Sequence, residues 1–473
     1  MRYTAISAAV AAVLAASAAQ AVTITVTASG ASAQRSFWQQ DLGGICTGTF
    51  NTGLTIFSVT TPPGPDIQVA QCTVITAGRG TIPLPAGLNN GDVLVLQYPA
   101  ELGSVWGIAP KIPTNRAAAG RRMLDFTNPA VCPSTTCTVT GYNAETDTAT
   151  TGLTAKVVPD LLVTDLEPTK WVNPDNWPLN AGTGLSFNIL GDTAAANLNK
   201  SPTLAELQTA QAAFTRVNGQ VFSVITHPGV GVTNLSTNSL RAIFTGQYSD
   251  WKQVPEYSGA SLDITVCRRD HGSGTQVASS TYFTGTECNV PGAATYVTAG
   301  NGPNLPANGG NLNTSVLENA STNALANCVT SNPGAIGVRS LSTSTAYTTV
   351  SIDGVEANAH NSAAGSYAFA FDTFVFDNTT ASGATAAEKT VVSTLITDAK
   401  LVTRLPVETG ALAGGKWAAT GTRRVAFGGE FLGSGNPGSP SVVTDLWTTA
   451  KAPEAIYNQL GDACNSRLNL NNN

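Results

Sequence analysis

Twice in this chain a short apolar run passes straight into a turn of small and hydroxyl-bearing residues and then into a helical stretch free of Gly and Pro. From Val22 to Thr27 the sequence alternates Val-Thr-Ile-Thr-Val-Thr, the period-two pattern of a half-buried strand. It enters Ala28-Ser29-Gly30-Ala31-Ser32, and Ala33 to Leu42 follows with Phe37, Trp38 and Leu42 at helical spacing. In the second instance Ile264 to Cys267 opens through Arg268-Arg269-Asp270-His271-Gly272-Ser273-Gly274-Thr275 into a helix from Gln276 to Phe283. The order strand, turn, helix implies an α/β fold. Each such turn also presents unpaired backbone N–H groups at the start of a helix, where an anion is favoured.

The remaining segments fit the same class. Gly43 to about Asp160 is rich in Thr, Pro and Gly and reads as short strands, such as Val93 to Gln97, joined by long connections. Leu161 to Val163 is a strand that delivers Thr164 and Asp165 at its carboxyl end, where ligands bind in open α/β sheets. Ser201-Pro202-Thr203 caps a helix from Leu204 to Arg216, Val221 to Thr226 is a buried strand, and Ser239 to Phe244 a short helix. Segment 285–315 reads as loop, Gly334 to Val338 and Tyr367 to Phe376 as strands, and Ala386 to Arg404 and Pro453 to Leu460 as helices. The Tyr367 strand is long and apolar enough to cross between lobes, and the asparagine-rich tail from Leu468 is expected to fray.

At 473 residues the chain is expected to hold more than one domain, since domains run about 100–200 residues. Charged side chains are only 11%, under half of the roughly 25% usual in soluble proteins, which excludes charge-driven disorder and coiled coil. A net charge of -6 with 24 Lys and Arg and no basic run argues against a nucleic-acid partner. Met1 and Arg2 lead into an apolar stretch from Ile6 to Ala19 closing on Ala19-Gln20-Ala21, so residues 1–21 read as a secretory signal peptide cleaved after Ala21. Val22 in place of Cys argues against a lipid anchor, and the mature protein is expected in the periplasm or outside the cell.

Eight cysteines suit an oxidising compartment. None stands in a CxxC or Cys/His pattern and the histidines number three, His227, His271 and His360, so neither metal nor cofactor is expected. Pairing of sequence neighbours would join Cys46 to Cys72, Cys132 to Cys137, Cys267 to Cys288 and Cys328 to Cys464. Eight cysteines allow on the order of 100 connectivities.

The chemistry concentrates at the two turns. Ser29 to Ser32 and Gly272 to Thr275 each combine N–H donors, hydroxyls and the positive end of a helix dipole, and Arg269 adds a guanidinium fork suited to a tetrahedral oxyanion. On its own Gly-Ser-Gly-Thr reads more readily as a plain loop, and Asp165 more readily as a helix cap or ion-pair partner. The wider set decides between them. Leu240-Arg241-Ala242-Ile243-Phe244-Thr245-Gly246 with Asp250-Trp251, then Arg269 and Gly272-Ser273-Gly274-Thr275, resembles the phosphate-binding proteins of bacterial ABC phosphate transporters. Ala28 to Ser32 is similar to that family's first anion loop, Thr164-Asp165 to its Ser-Asp, and Asn332-Pro333-Gly334-Ala335-Ile336-Gly337 to its late strand, in family order from Val22 to Phe376. Ser104, within Leu102-Gly103-Ser104-Val105-Trp106-Gly107, is a looser match to the second anion serine.

The resemblance implies two α/β lobes of the periplasmic binding protein fold with a ligand cleft between them. It places lobe I at 22–222 plus 370–473, with insertions, and lobe II at 223–369. The ligand contacts it implies are Ser32, Ser104, Asp165, Arg269, His271, Ser273, Gly274 and Thr275. An acceptor-only carboxylate at Asp165 repels a fully ionised oxyanion yet accepts from a protonated phosphate. His271 departs from the pattern, because the family carries aspartate there and this chain has Asp270 one residue earlier. Either the imidazole keeps the hydrogenphosphate contact or weakens discrimination against sulfate, or it faces solvent while Asp270 pairs with Arg268. His227 and His360 read as surface or structural residues. The implied function is non-enzymatic: an exported, monomeric protein that binds inorganic phosphate or a related oxyanion and presents it to an ABC transporter permease. The alternatives are a secreted structural or adhesion protein that keeps the fold, and a phosphatase-like enzyme built on Ser273, His271 and Asp165. Neighbours two apart in a tight turn rarely meet as a nucleophile pair, which weighs against the enzyme.

Overall fold

The computed structural model describes residues 21–49, 52–59, 65–77, 79, 84–100, 103–112, 120–142, 149–173, 176, 202–270, 272–288, 296–297, 315–319, 321–341, 345–357, 361–362, 366–400, 422–425, 454–455, 457–458, 464 and 468–469. The expected signal peptide therefore lies outside the described residues, apart from Ala21, as do His271 and His360.

The first lobe begins with β1 (Thr23–Gly30), which buries Ile24, Val26 and Ala28 on one face and leaves its threonines at the margin. Helix α1 (Arg35–Thr47) lays Phe37, Trp38, Leu42 and Ile45 into the core and stops at Gly48, whose φ of 79° a side chain would resist. The lobe continues through β2 (Thr55–Val59), β3 (Ile67–Thr73), β4 (Val93–Pro99), α2 (Val105–Ile108), β5 (Arg121–Leu124), β6 (Thr136–Cys137), β7 (Leu153–Val157) and β8 (Leu161–Thr164). β1 lies at the centre with β4 and β8 parallel on either side, while β3 and β2 extend the sheet antiparallel from β4.

Helix α3 (Leu204–Gln211) starts at a capping box formed by Thr203 and Glu206 and ends well short of Arg216. The residues that follow are drawn into β9 (Thr215–Thr226), longer than the expected strand and running through Gly219. Pairing outweighs local preference here, because Thr215 to Val221 match Val375 to Ala370 of a later strand and Arg216 meets Asp372 at 3.2 Å.

The second lobe holds β10 (Asn234–Leu235), α4 (Thr237–Phe244), β11 (Thr265–Arg269), α5 (Gly274–Ser279), β12 (Ser315–Asn319), α6 (Thr322–Ser331), β13 (Ala335–Ser340) and β14 (Thr348–Ile352). β11 runs parallel to both β12 and β13, and β13 lies antiparallel to β9. β15 (Ala370–Asp377) then returns to the first lobe beside β8. β9 and β15 are thus the connecting strands: β9 pairs with β15 through its first half and with β13 through its second. The mixed α/β architecture has two lobes joined by crossing strands. One contiguous apolar cluster extends from Phe37 and Trp106 through Val221 and Phe371 to Ile243 and Val266, each large side chain contributing about 1.5–3 kcal/mol by its burial. Among the described residues no helix is long and apolar enough to cross a membrane.

Four disulfides form, and two of them correct the neighbour pairing. Cys46–Cys72 and Cys132–Cys137 join as expected, but Cys267 bonds Cys328 and Cys288 bonds Cys464. The reason is topological. Helix α6 precedes β13 and packs over β11, bringing Cys328 above Cys267 with a Cα separation of 6.0 Å, and Cys288 is left to hold the distant Cys464. The expected Pro453–Leu460 helix is also corrected: Glu454–Ala455 pairs with Arg424–Val425, and Tyr457–Asn458 with Leu468–Asn469.

Candidate functional site

Asp165 lies immediately beyond β8, on which β1 and α2 both converge. A Cβ on Gly30 or on Gly107 would stand 1.8 Å or 2.0 Å from the Val163 carbonyl oxygen, so only glycine permits this approach. Gly30 also holds φ at +122°, and the adjacent Ala31 N–H donates to the same carbonyl at 2.9 Å. The result is that Ser32, Ser104 and Asp165 come to the same edge of the first lobe. Ser104 accepts from the Asp165 N–H at 3.1 Å.

The second lobe contributes the end of β11. Side chains alternate across a strand, and the paired arginines separate accordingly. Arg268 donates to the Val297 carbonyl at 2.6 Å, approaches Glu318 at 3.8 Å and covers the Tyr296 ring. Arg269 turns the other way and is fully buried. Its Nε donates to the Asn319 carbonyl at 3.0 Å, and its Nη1 to Ser32 Oγ at 3.2 Å and Thr322 Oγ1 at 3.1 Å. Asp270 lies 3.9 Å from Arg269 Nη2, so the carboxylate displaced by one residue still faces the same guanidinium. The alternative in which Asp270 takes Arg268 as its partner gives way to this arrangement.

The turn after β11 closes against the first lobe. Gly272 accepts from the Val105 N–H at 2.9 Å and donates to the Asn176 carbonyl at 2.9 Å. Ser273 caps α5 by accepting from Gln276 N–H at 3.4 Å. A Cβ on Gly274 would fall 2.2 Å from Ser104 Oγ and 2.7 Å from Asp165 Oδ2. Ser32, Ser104, Asp165, Arg269, Ser273, Gly274 and Thr275 therefore gather where the lobes meet. His227, in contrast, accepts from the Gly229 N–H through Nδ1 at 2.9 Å and caps a turn elsewhere.

Four buried residues at this site carry side-chain atoms with no hydrogen-bond partner among the described residues: both carboxylate oxygens of Asp165, Asp270 Oδ1, Thr275 Oγ1 and Gln276 Nε2. Buried polar atoms usually have partners, and a ligand received in the cleft is one way to supply those missing here. Burial raises the Asp165 carboxyl to about 7, tempered by the charge of Arg269 and by the Ser104 hydroxyl, which lies close to the carboxyl but is engaged with the Asp165 N–H. Asp270 is likewise raised to about 7 by burial, against the pull of Arg269. Both groups hold their protons more tightly in the folded protein than in the unfolded chain, whose aspartates titrate at 3.8. Stability they confer below pH 4 is therefore lost as pH rises through about 7. The melting temperature of the anion-free protein should fall across that interval, and Asp165→Asn should flatten part of the fall. A variant melting curve parallel to wild type would remove Asp165 as a source.

Sequence reasoning missed Thr322, Asn319 and Gln276, the last of which accepts from Arg269 N–H through its side chain at 3.2 Å. Thr322 begins α6 behind a capping Ser321, an arrangement common to many helices, and no local signal ties it to Arg269. Among the described residues no group of His, Cys, Asp and Glu is placed to hold a metal ion.

Residues 145–399 match the family model of the PBP superfamily domain. Among curated proteins, the phosphate-binding protein PstS of Bacillus subtilis is 31% identical over 193 residues, which cover 40% of this chain and 54% of that protein. The chain thus spans about half the length of this curated relative. Among solved structures, one described as a phosphate ABC transporter substrate-binding protein of Clostridium perfringens with bound phosphate aligns at 14% identity and a TM-score of 0.40, over 78% of this chain and 92% of that one. An ABC-type phosphate transport receptor of Vibrio cholerae aligns at 19% identity and a TM-score of 0.28, over 40% and 68%.

Proposed function

The chain belongs to the PBP superfamily, and from that premise we propose that it is an exported solute-binding protein that closes its lobes on inorganic phosphate and presents it to an ABC transporter permease. In this reading lobe I comprises 22–222 with 370–473 and lobe II 223–369, and the protein acts as a monomer without catalysis. Ser32, Ser104, Arg269, Ser273, Gly274 and Thr275 line the anion, with His271 beside them in sequence. Ser273 serves as a helix cap, which favours a binding role for this turn over a nucleophilic one.

The observation that carries the reading is the Asp165 carboxylate, buried at the lobe contact with neither oxygen bonded and within reach of Gly274. Beside the single guanidinium of Arg269 and the hydroxyl and N–H donors, an ionised carboxylate can only accept. Hydrogenphosphate offers one O–H to it and ionised oxygens to the donors, whereas sulfate offers no proton. The raised pKa adds a pH signature: below about 7 the protonated Asp165 can donate and tolerates sulfate.

Calorimetric titration of protein unfolded, stripped of anion and refolded tests this. We expect saturable phosphate binding that resists excess sulfate at pH 8 and resists it less at pH 5.5. In Asp165→Asn, whose amide can donate to sulfate, the preference should shrink by at least about tenfold, equivalent to 1.4 kcal/mol. No binding of phosphate at either pH would dismiss the reading and turn attention to a structural role.

A further inference from the structure

Arg269 meets the first lobe through a pair of hydroxyls. Its Nη1 donates to both Ser32 Oγ and Thr322 Oγ1, and these two oxygens lie 3.0 Å apart, one donating to the other. Ser32 belongs to the first lobe and Thr322 to the second, so this triangle spans the cleft. Each hydroxyl has one proton and two lone pairs. Both oxygens already accept from Arg269, one proton closes the bond between them, and a single O–H is left to point outward.

Burial decides which one. Thr322 is 8% exposed, while Ser32 is partly exposed. If Ser32 donated to Thr322, the leftover Thr322 O–H would be stranded on the buried side without an acceptor, which is unfavourable. The reverse direction sends the Thr322 proton to Ser32 and leaves the Ser32 proton facing the cleft. In that arrangement both lone pairs of Ser32 are occupied, one by Arg269 and one by Thr322, and Ser32 can only donate.

We propose that Thr322 is a positioning residue for anion selection: it fixes Ser32 as an obligate hydrogen-bond donor, so that this end of the site favours an ionised ligand oxygen over a protonated one. The inference rests on the oxyanion-binding reading above and deepens it. With Asp165 an acceptor at one end and Ser32 a donor at the other, the site is polarised, and a ligand must carry its proton on the Asp165 side. Hydrogenphosphate satisfies both ends at once.

The test is a double-mutant cycle read by phosphate titration of the refolded full chain at pH 8. Thr322→Val keeps the shape and removes the hydroxyl, and should weaken phosphate binding about tenfold. Thr322→Ser should restore affinity to within about twofold of wild type. In a Ser32→Ala background Thr322→Val should cost clearly less than in wild type, because the hydroxyl it would orient is gone and only its bond from Arg269 remains to be lost. A packing role for Thr322 would instead leave the same loss in both backgrounds. Equal loss in both, unchanged affinity in Thr322→Val, or failure of Thr322→Ser to rescue while wild type binds phosphate would overturn the role of Thr322 alone. Failure of wild type to bind phosphate would overturn the proposed function and this role with it.

Discussion

Replacing Arg269 by alanine should lower phosphate affinity by roughly 30- to 5,000-fold, the equivalent of about 2–5 kcal/mol for removing one partner of a buried charged contact. Replacing its neighbour Arg268 should leave affinity unchanged while the protein remains folded. The pair shares chemistry and differs by one position, so the contrast tests geometry. Arg269 is fully buried and reaches toward Ser32, Thr322 and Asp270, whereas Arg268 is committed to Val297 and Glu318 on the opposite side of β11. Arg268→Ala should therefore appear as a loss of stability, about 1–3 kcal/mol for the group it leaves unpaired, in thermal melts with no change in calorimetric affinity. Arg269→Lys should recover only part of the binding, because an ammonium cannot serve the Asn319 carbonyl, both hydroxyls and an anion from one point. Equal affinities for the two alanine variants would remove Arg269 as the anion contact.

How much of this was legible in sequence follows from how local each determinant is. The turn from Arg269 to Thr275 is one continuous segment, its Gly and Ser residues are those a strand-to-helix turn needs, and β11 and α5 frame it as expected. The same holds for β1 and the turn to Ser32. Thr322 was not legible, because it reaches Arg269 only once β12 has paired alongside β11 and α6 has folded back over them. The disulfides fail for a related reason: Cys267 finds its partner through the crossover of α6, and sequence proximity to Cys288 carries no information about that. At Thr215 the helical pattern lost to strand pairing with β15, a contact with residues more than a hundred positions away. Local chemistry was readable, and the partners supplied by topology were not.

Gly274→Ala should weaken phosphate binding by roughly 5- to 150-fold, the range of about 1–3 kcal/mol that an inserted methyl costs in a packed site, without destabilising the anion-free protein. The two effects separate because of where the methyl goes. Gly274 opens α5, where alanine is intrinsically favoured over glycine by about 0.5–1 kcal/mol, and no atom of the second lobe itself is among the nearest obstructions. The three nearest clashes are all with the first lobe: Ser104 Oγ at 2.2 Å, Asp165 Oδ2 at 2.7 Å and Asp165 Cβ at 2.8 Å. Ser104 can rotate away only by giving up its bond to the Asp165 N–H. The variant must hold the lobes apart at the one place where the acceptor carboxylate and the α5 turn converge, so its melting temperature without anion should equal or exceed wild type while the titration loses affinity. Small-angle scattering should show that added phosphate compacts wild type and leaves Gly274→Ala expanded. A variant that binds and compacts like wild type would mean that the lobes do not close on ligand through this contact, and the position of Asp165 opposite Gly274 would then need another cause.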